Sequence, residues 1–175
     1  MAIQHPLIDP RDHPLDKIFL PIEEIRRFNP QRHEFEQLTA VLSYDREENL
    51  MVSHRHVAPD EFWMRGHIPG RPLFPGALMI ESMAQSASIQ CHIYLGLPPE
   101  VFIGFGGVDG VRFRKVVQPP CDLWIAGTLV QISAHRLTMR WRGQILTGDG
   151  AVVCGGTVLG IGLPEKSGAT PSKKG

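Results

Sequence analysis

The sequence predicts an α+β fold, a curved antiparallel sheet wrapped around one long buried helix, and three observations lead there. From Pro72 through Pro99 the one Asp, Glu, Lys or Arg is Glu81. A surface helix shows a charged face opposite its apolar stripe, so a helix without one is covered nearly all round. Before it lie two strand-like runs around a polar turn, and after it come several more strand-like runs broken by glycine. A helix with no wet face needs an apolar wall, and a curved antiparallel sheet supplies one.

Taken in order, residues 1–16 carry prolines and charges without an apolar core of signal-peptide length, and read as a loose arm. Residues 17–163 read as the single domain that a chain of 175 residues allows. Pro21 to Phe28 has Pro at its start, acids early, arginines late and apolar residues three apart, which predicts a short helix. Gln37 to Tyr44 and Asn49 to Val57, separated by Asp45-Arg46-Glu47-Glu48, predict a hairpin.

Gly66 to Gly76 holds three prolines and three glycines, so it cannot be helical and forms a stiff loop carrying His67. Pro75 suits the first turn of a helix running from Gly76 to Tyr94. On that helix Ala77, Ile80, Ala84, Ala87 and Cys91 share one side, expected to meet the sheet. Leu78, Glu81, Ser82, Gln85 and Ile89 share another. Val101 to Phe105 predicts a short strand ending at Gly106-Gly107, and Leu123 to Ile132 a second. His135 to Leu146 alternates as a third, and Ala151 to Ile161 is the last, after the turn Gly148-Asp149-Gly150. Residues 164–175 are small, polar and lysine-ended, the composition of a disordered tail.

Composition excludes more than it selects. Charges balance to zero and no lysine-arginine block occurs, so a nucleic-acid partner is not indicated. Glu81, Gln85, Gln90 and His92 disqualify the long helix as a membrane span. Cys91, Cys121 and Cys154 are an odd number with no CxxC, as in a reduced cytoplasmic protein. The eight histidines form no HExxH or comparable pair, so no metal is expected.

What remains is acid–base chemistry. His67, the carboxylate of Glu81 and the unpaired N–H groups of a helix start at Gly76 fall within fifteen residues. Each has a plainer reading too. His67 can be a loop histidine bonded to backbone, and Glu81 a carboxylate satisfied by Gln85 or Arg71. Gly76 can simply relieve crowding.

This run resembles the signature of the 3-hydroxyacyl-acyl-carrier-protein dehydratases, FabZ type, in the hot-dog-fold superfamily. The family pattern is Gly-His-Phe-Pro, then Pro-Gly, then Glu-Ala-Met-Ala-Gln. The chain has Gly66-His67-Ile68-Pro69, Pro75-Gly76 and Glu81-Ser82-Met83-Ala84-Gln85. Gly107-Val108-Asp109-Gly110-Val111-Arg112-Phe113-Arg114-Lys115 is similar to a second family motif. Asn29 to Phe35 matches a third loosely, and Ile68 and Val116 stand where the family has Phe and Pro.

The resemblance implies a hot-dog fold and removal of water from a 3-hydroxyacyl thioester. His67 would be the general base, Glu81 the acid, Gly76 the N–H facing the thioester carbonyl, and Gln85 the residue orienting Glu81. Arg65, Arg71, Arg112, Arg114 and Lys115 would greet acyl carrier protein and its phosphopantetheine, or form a solvated strand end. No cofactor is implied beyond the phosphopantetheine that arrives with the substrate. A homodimer is the minimal unit implied, with a trimer of dimers common in the family and the His and Glu of one site on different subunits. Two other readings share the fold: an acyl thioesterase using Glu81 to activate water, and a non-catalytic acyl- or carrier-binding subunit.

Overall fold

The computed structural model describes residues 5–163, so the expected tail lies outside the described residues. Seven strands form one antiparallel sheet: β1 (Leu20–Pro21), β2 (Ala40–Asp45), β3 (Leu50–Val57), β4 (Phe102–Phe113), β5 (Cys121–Ser133), β6 (Thr138–Thr147) and β7 (Val152–Leu163). Their order across the sheet is β1-β2-β3-β5-β6-β7-β4. A short helix, α1 (Ile22–Phe28), and a long one, α2 (Gly76–Leu95), complete the fold. α2 packs on β3, β5, β6 and β7, which is the hot-dog arrangement that the resemblance implies.

α2 ends where Gly96 turns left-handed, at φ 62°, and the Leu97 N–H returns to the His92 carbonyl at 2.9 Å. Its most covered side is not the small-residue stripe. Met79, Met83, Ser86 and Gln90 are buried, whereas the stripe is buried only at Ala87 and Cys91, with Ala77 exposed and Ile80 and Ala84 half-buried. The absence of charge announces burial but does not orient a helix whose sides are all apolar or small. Buried polar groups on α2 are matched by the sheet. The Ser86 and Ser53 hydroxyls meet at 2.8 Å, the Trp141 indole N–H donates to Gln90 Oε1 at 2.6 Å, and Gln90 Nε2 donates to the Asn49 carbonyl at 2.8 Å.

Trp141 is fully buried, and Gly127 and Gly143 make room for it. A Cβ on either glycine would lie 2.2 or 2.1 Å from the indole. Gly143→Ala is therefore expected to lower stability by about 1–3 kcal/mol, the range for overpacked cores. Calorimetry checks it, and an unchanged melting temperature would contradict this packing.

Two other expectations are corrected. The strand predicted over Val101 to Phe105 does not stop at the glycines, since β4 runs on to Phe113 with a register shift between Phe105 and Gly107. Gly107, at that shift, has a φ of 146°, and a Cβ on Gly106 would meet the Ile161 side chain at 3.1 Å. Nor is the arm loose over its described part, residues 5–16. Ile8 packs with Leu42, Val52, Trp124 and Leu146 in a second apolar cluster. Gln144 accepts from the Leu7 N–H and donates to the His5 carbonyl, each at 2.9 Å, and the Trp124 N–H donates to the His13 carbonyl at 2.9 Å. Apolar side chains left on that face of the sheet need cover, and the arm's Leu7 and Ile8 provide it.

Candidate active site

The loop between β3 and α2 presents His67 at the surface. Its ring Nδ1 lies 3.0 Å from the Leu73 carbonyl oxygen. A carbonyl can only accept, so Nδ1 carries a proton, and in the neutral ring the lone pair is then on Nε2. The His67 backbone N–H donates to the Trp63 carbonyl at 2.8 Å, and the Trp63 ring stands edge-on to the imidazole, centroids 6.4 Å apart. Backbone and ring are thus held from two sides.

Glu81 is half-buried on the second turn of α2. Both of its contacts fall on one oxygen: Oε1 accepts from Gln85 Nε2 at 2.8 Å and from Gln31 Nε2 at 3.3 Å. Oε2 has no hydrogen-bond partner among the described residues. Gln85 is itself pinned, with Nε2 also donating to the Phe35 carbonyl at 2.7 Å and Oε1 accepting the Gln37 N–H at 2.9 Å. A four-residue spacing on a helix lets Gln85 reach Glu81, and the sequence shows that much. Gln31, fifty residues away, is a partner that only its place in the loosely matching segment Asn29 to Phe35 could have suggested.

Glu81 opens on a pocket of about 100 Å³, lined also by Ala84, Ser88, Ile103, Met139 and Gly160. His67 does not line it, and no hydrogen bond joins His67 to Glu81 among the described residues. One chain therefore holds the two groups in separate settings.

Gly76 begins α2, and no side chain caps that end. A Cβ here would lie 2.8 Å from the Phe113 ring, so glycine lets the end of β4 press against the helix start. The crowding reading of Gly76 thus has a concrete partner, and the uncapped N–H groups remain beside it. The segment after β4 also meets the loop that carries Arg65 and Arg71, where the Phe74 N–H donates to the Val117 carbonyl at 2.8 Å. Arg65, Arg71, Arg112, Arg114 and Lys115 are all exposed, and none forms an ion pair among the described residues.

Beneath the loop lies an ion pair that the sequence reading passed over. Arg55, on β3, donates to Glu61 Oε2 at 2.5 Å, and Glu61 also accepts the Trp63 indole N–H at 2.8 Å. Strand alternation could have found it, because Arg55 shares a face with Met51, Ser53 and Val57, all buried. An arginine pointing inward is itself a signal.

Thiol chemistry is disfavoured. Cys91, Cys121 and Cys154 are unpaired, and burial pushes each thiol up to about 11, leaving it protonated near neutral pH. Among the described residues no group of three His, Cys, Asp or Glu side chains is placed to hold a metal ion. No helix among them is long and apolar enough to cross a membrane.

A family model described as a FabA-like domain matches residues 29–157. The chain is 35% identical over 141 residues to the 3-hydroxyacyl-[acyl-carrier-protein] dehydratase FabZ of Erwinia tasmaniensis, covering 80% of this chain and 91% of that protein. The enzyme of the same name from Escherichia coli O9:H4 is 36% identical over the same coverage. Among solved structures, the dehydratase heterocomplex ApeI:P from Xenorhabdus doucetiae superposes with a TM-score of 0.67 at 18% identity, covering 84% of this chain and 93% of that one. A thioesterase from Haemophilus influenzae reaches 0.61 at 9% identity with the same coverage. At such identities these two structures speak to the fold alone.

Proposed function

Because the chain belongs to the FabA-like family, we propose that it dehydrates 3-hydroxyacyl thioesters on acyl carrier protein, the activity its curated relatives are named for. The observation that carries this reading is the contact of His67 Nδ1 with the Leu73 carbonyl, which leaves Nε2 as a base on the loop before the helix of Glu81. His67 Nε2 takes the proton from the carbon next to the thioester carbonyl. As negative charge gathers on the carbonyl oxygen, the Gly76 N–H and the positive end of α2 stabilise it. Glu81, held through Oε1 by Gln85 and Gln31, guides the departing hydroxyl with Oε2, and the proton taken by His67 is relayed to that hydroxyl, so water leaves and both side chains return to their starting state. The exposed Arg65, Arg71, Arg112, Arg114 and Lys115 suit the acidic surface of a carrier and its phosphate. Unpaired thiols at all three cysteines support a cytoplasmic location as part of the same reading.

The active unit in this reading is a homodimer, with a trimer of dimers the larger assembly it allows. β4 is the sheet's edge and exposes Phe102, Phe105, Val108 and Phe113, while Ala77 beside it on α2 is also bare. A long apolar edge invites pairing with a second copy. Such pairing brings another His67 within reach of the pocket that one chain leaves incomplete.

Turnover tests the reading. Purified protein is expected to form enoyl product from a 3-hydroxyacyl thioester and to release no free thiol from a plain acyl thioester. Thiol release without enoyl product would assign it to thioester hydrolysis, and neither product would leave a binding subunit. The acyl tail lies in the pocket beside Ala84 in this reading. Ala84→Leu is then expected to lower kcat/KM for a long substrate about 10-fold or more relative to a short one, as an excluded methylene does. Equal losses for both lengths would remove the tail from that pocket.

A further inference from the structure

Arg55 and Glu61 form an ion pair with only 12% and 11% of their side chains exposed, directly under the loop that carries His67. Buried pairs of this kind seldom stabilise a fold more than apolar residues of equal size. This one also leaves Arg55 Nε buried without a partner among the described residues, a further cost to stability. Its connections point to another use.

Glu61 reaches His67 by one route. Its Oε1 accepts the Ala58 N–H at 2.9 Å, and its Oε2 accepts both the Arg55 guanidinium and the Trp63 indole N–H. The Trp63 carbonyl in turn accepts the His67 backbone N–H. Arg55 reaches His67 by a second route. Its guanidinium carbon lies 5.8 Å from the centroid of the Phe74 ring, which also packs edge-on against Trp63 at 5.7 Å. Phe74 adjoins Leu73, whose carbonyl holds the His67 ring proton on Nδ1. The two routes lead to both anchors of the imidazole, its backbone and its Nδ1 contact, from one ion pair between β3 and the loop.

We infer that the Arg55–Glu61 pair is the positioning device of His67, fixing the imidazole with Nδ1–H on the Leu73 carbonyl and Nε2 toward substrate. Arg55 touches no reacting atom and acts only through the loop. The inference rests on His67 being the base of the proposed dehydration.

Arg55→Met keeps the unbranched stem of the side chain and removes the guanidinium, with its charge and fork. The test reads kcat and KM for dehydration together with the His67 tautomer, from long-range ¹⁵N–¹H correlation spectra, all well below the unfolding temperature. Expected are a fall in kcat of about 10–100-fold, as for a displaced catalytic group, an unchanged KM, and loss of the pure Nδ1–H signature. Arg55→Lys, which keeps the charge against Glu61, is expected to recover part of both. If Arg55→Met does not fold, Arg55→Met/Glu61→Gln removes both charges at once and carries the same expectations. A folded variant in which either kcat or the tautomer matches the parent overturns the inference. His67→Ala is run beside it: if that variant still dehydrates at the parent rate, the assignment of the base fails. The tautomer readout then still decides whether Arg55 and Glu61 hold the ring.

Discussion

His67→Ala and Glu81→Gln are each expected to lower turnover by about 10²–10⁴-fold, the range for losing a positioned proton-transfer group. Their effects should be far from additive, because one proton path uses both groups. Binding of the acyl chain should survive, since the pocket walls beside Glu81 are left in place. Exchange of deuterium from solvent into the carbon next to the carbonyl separates the roles. Glu81→Gln should still exchange that position, because His67 Nε2 remains available when Nδ1 is held by Leu73. His67→Ala should not. Normal exchange in His67→Ala would make some other group the base and end this mechanism.

Glu81→Gln is also a mild change structurally. The amide can still accept from Gln85 and Gln31 through its oxygen, so the Gln37 and Phe35 contacts of Gln85 need not move. Circular dichroism and melting temperature near those of the parent are therefore expected, which makes the lost turnover a statement about chemistry.

The long helix was legible because burial leaves a compositional trace: Glu81 is the one acid from Pro72 to Pro99, and there is no Lys or Arg. Which way the helix faces left no comparable trace. Ser86 and Gln90 carry polar groups that point to no particular side in the sequence, and Ser53, Asn49 and Trp141 satisfy them from the sheet. Alanines suit a close approach of any kind, to a sheet, a pocket or another chain, so the Ala77, Ala84 stripe could not choose among them. β4 was cut short for a similar reason. Glycine weakens a strand on average, yet in this strand Gly107 and Gly110 take up positive φ, at 146° and 61°, which other residues rarely adopt.

The site was legible where its contacts are local. Glu81 and Gln85 are one turn apart, and His67 is six residues from the carbonyl that holds it. Gln31 and the Arg55–Glu61–Trp63 network depend on how β3 and the α1 region meet the loop and helix, which no local pattern encodes. The arm was misjudged because its prolines and charges outnumber the two apolar residues that anchor it, Leu7 and Ile8.

Mixing two inactive variants should restore activity. His67→Ala chains keep an intact Glu81, and Glu81→Gln chains keep an intact His67. If each site draws its base from one subunit and its acid from the other, a mixed pair contains one site with both groups and one with neither. Random exchange between equal amounts puts about half of all dimers in the mixed form, each with one working site of two, so recovery should approach a quarter of parent activity. The separation within one chain motivates this: Glu81 opens on its pocket with Gln31 and Gln85 for company, while His67 is tied to Leu73 and Trp63 and does not line that pocket. The bare β4 edge supplies the surface across which a second chain would close the gap. Exchange is followed by native mass spectrometry of a size-tagged variant, and turnover is read at each stage. Confirmed mixing with no recovered turnover would place both groups of a site on one chain. A stable monomer with full activity, seen by analytical ultracentrifugation, would dispose of the shared site altogether.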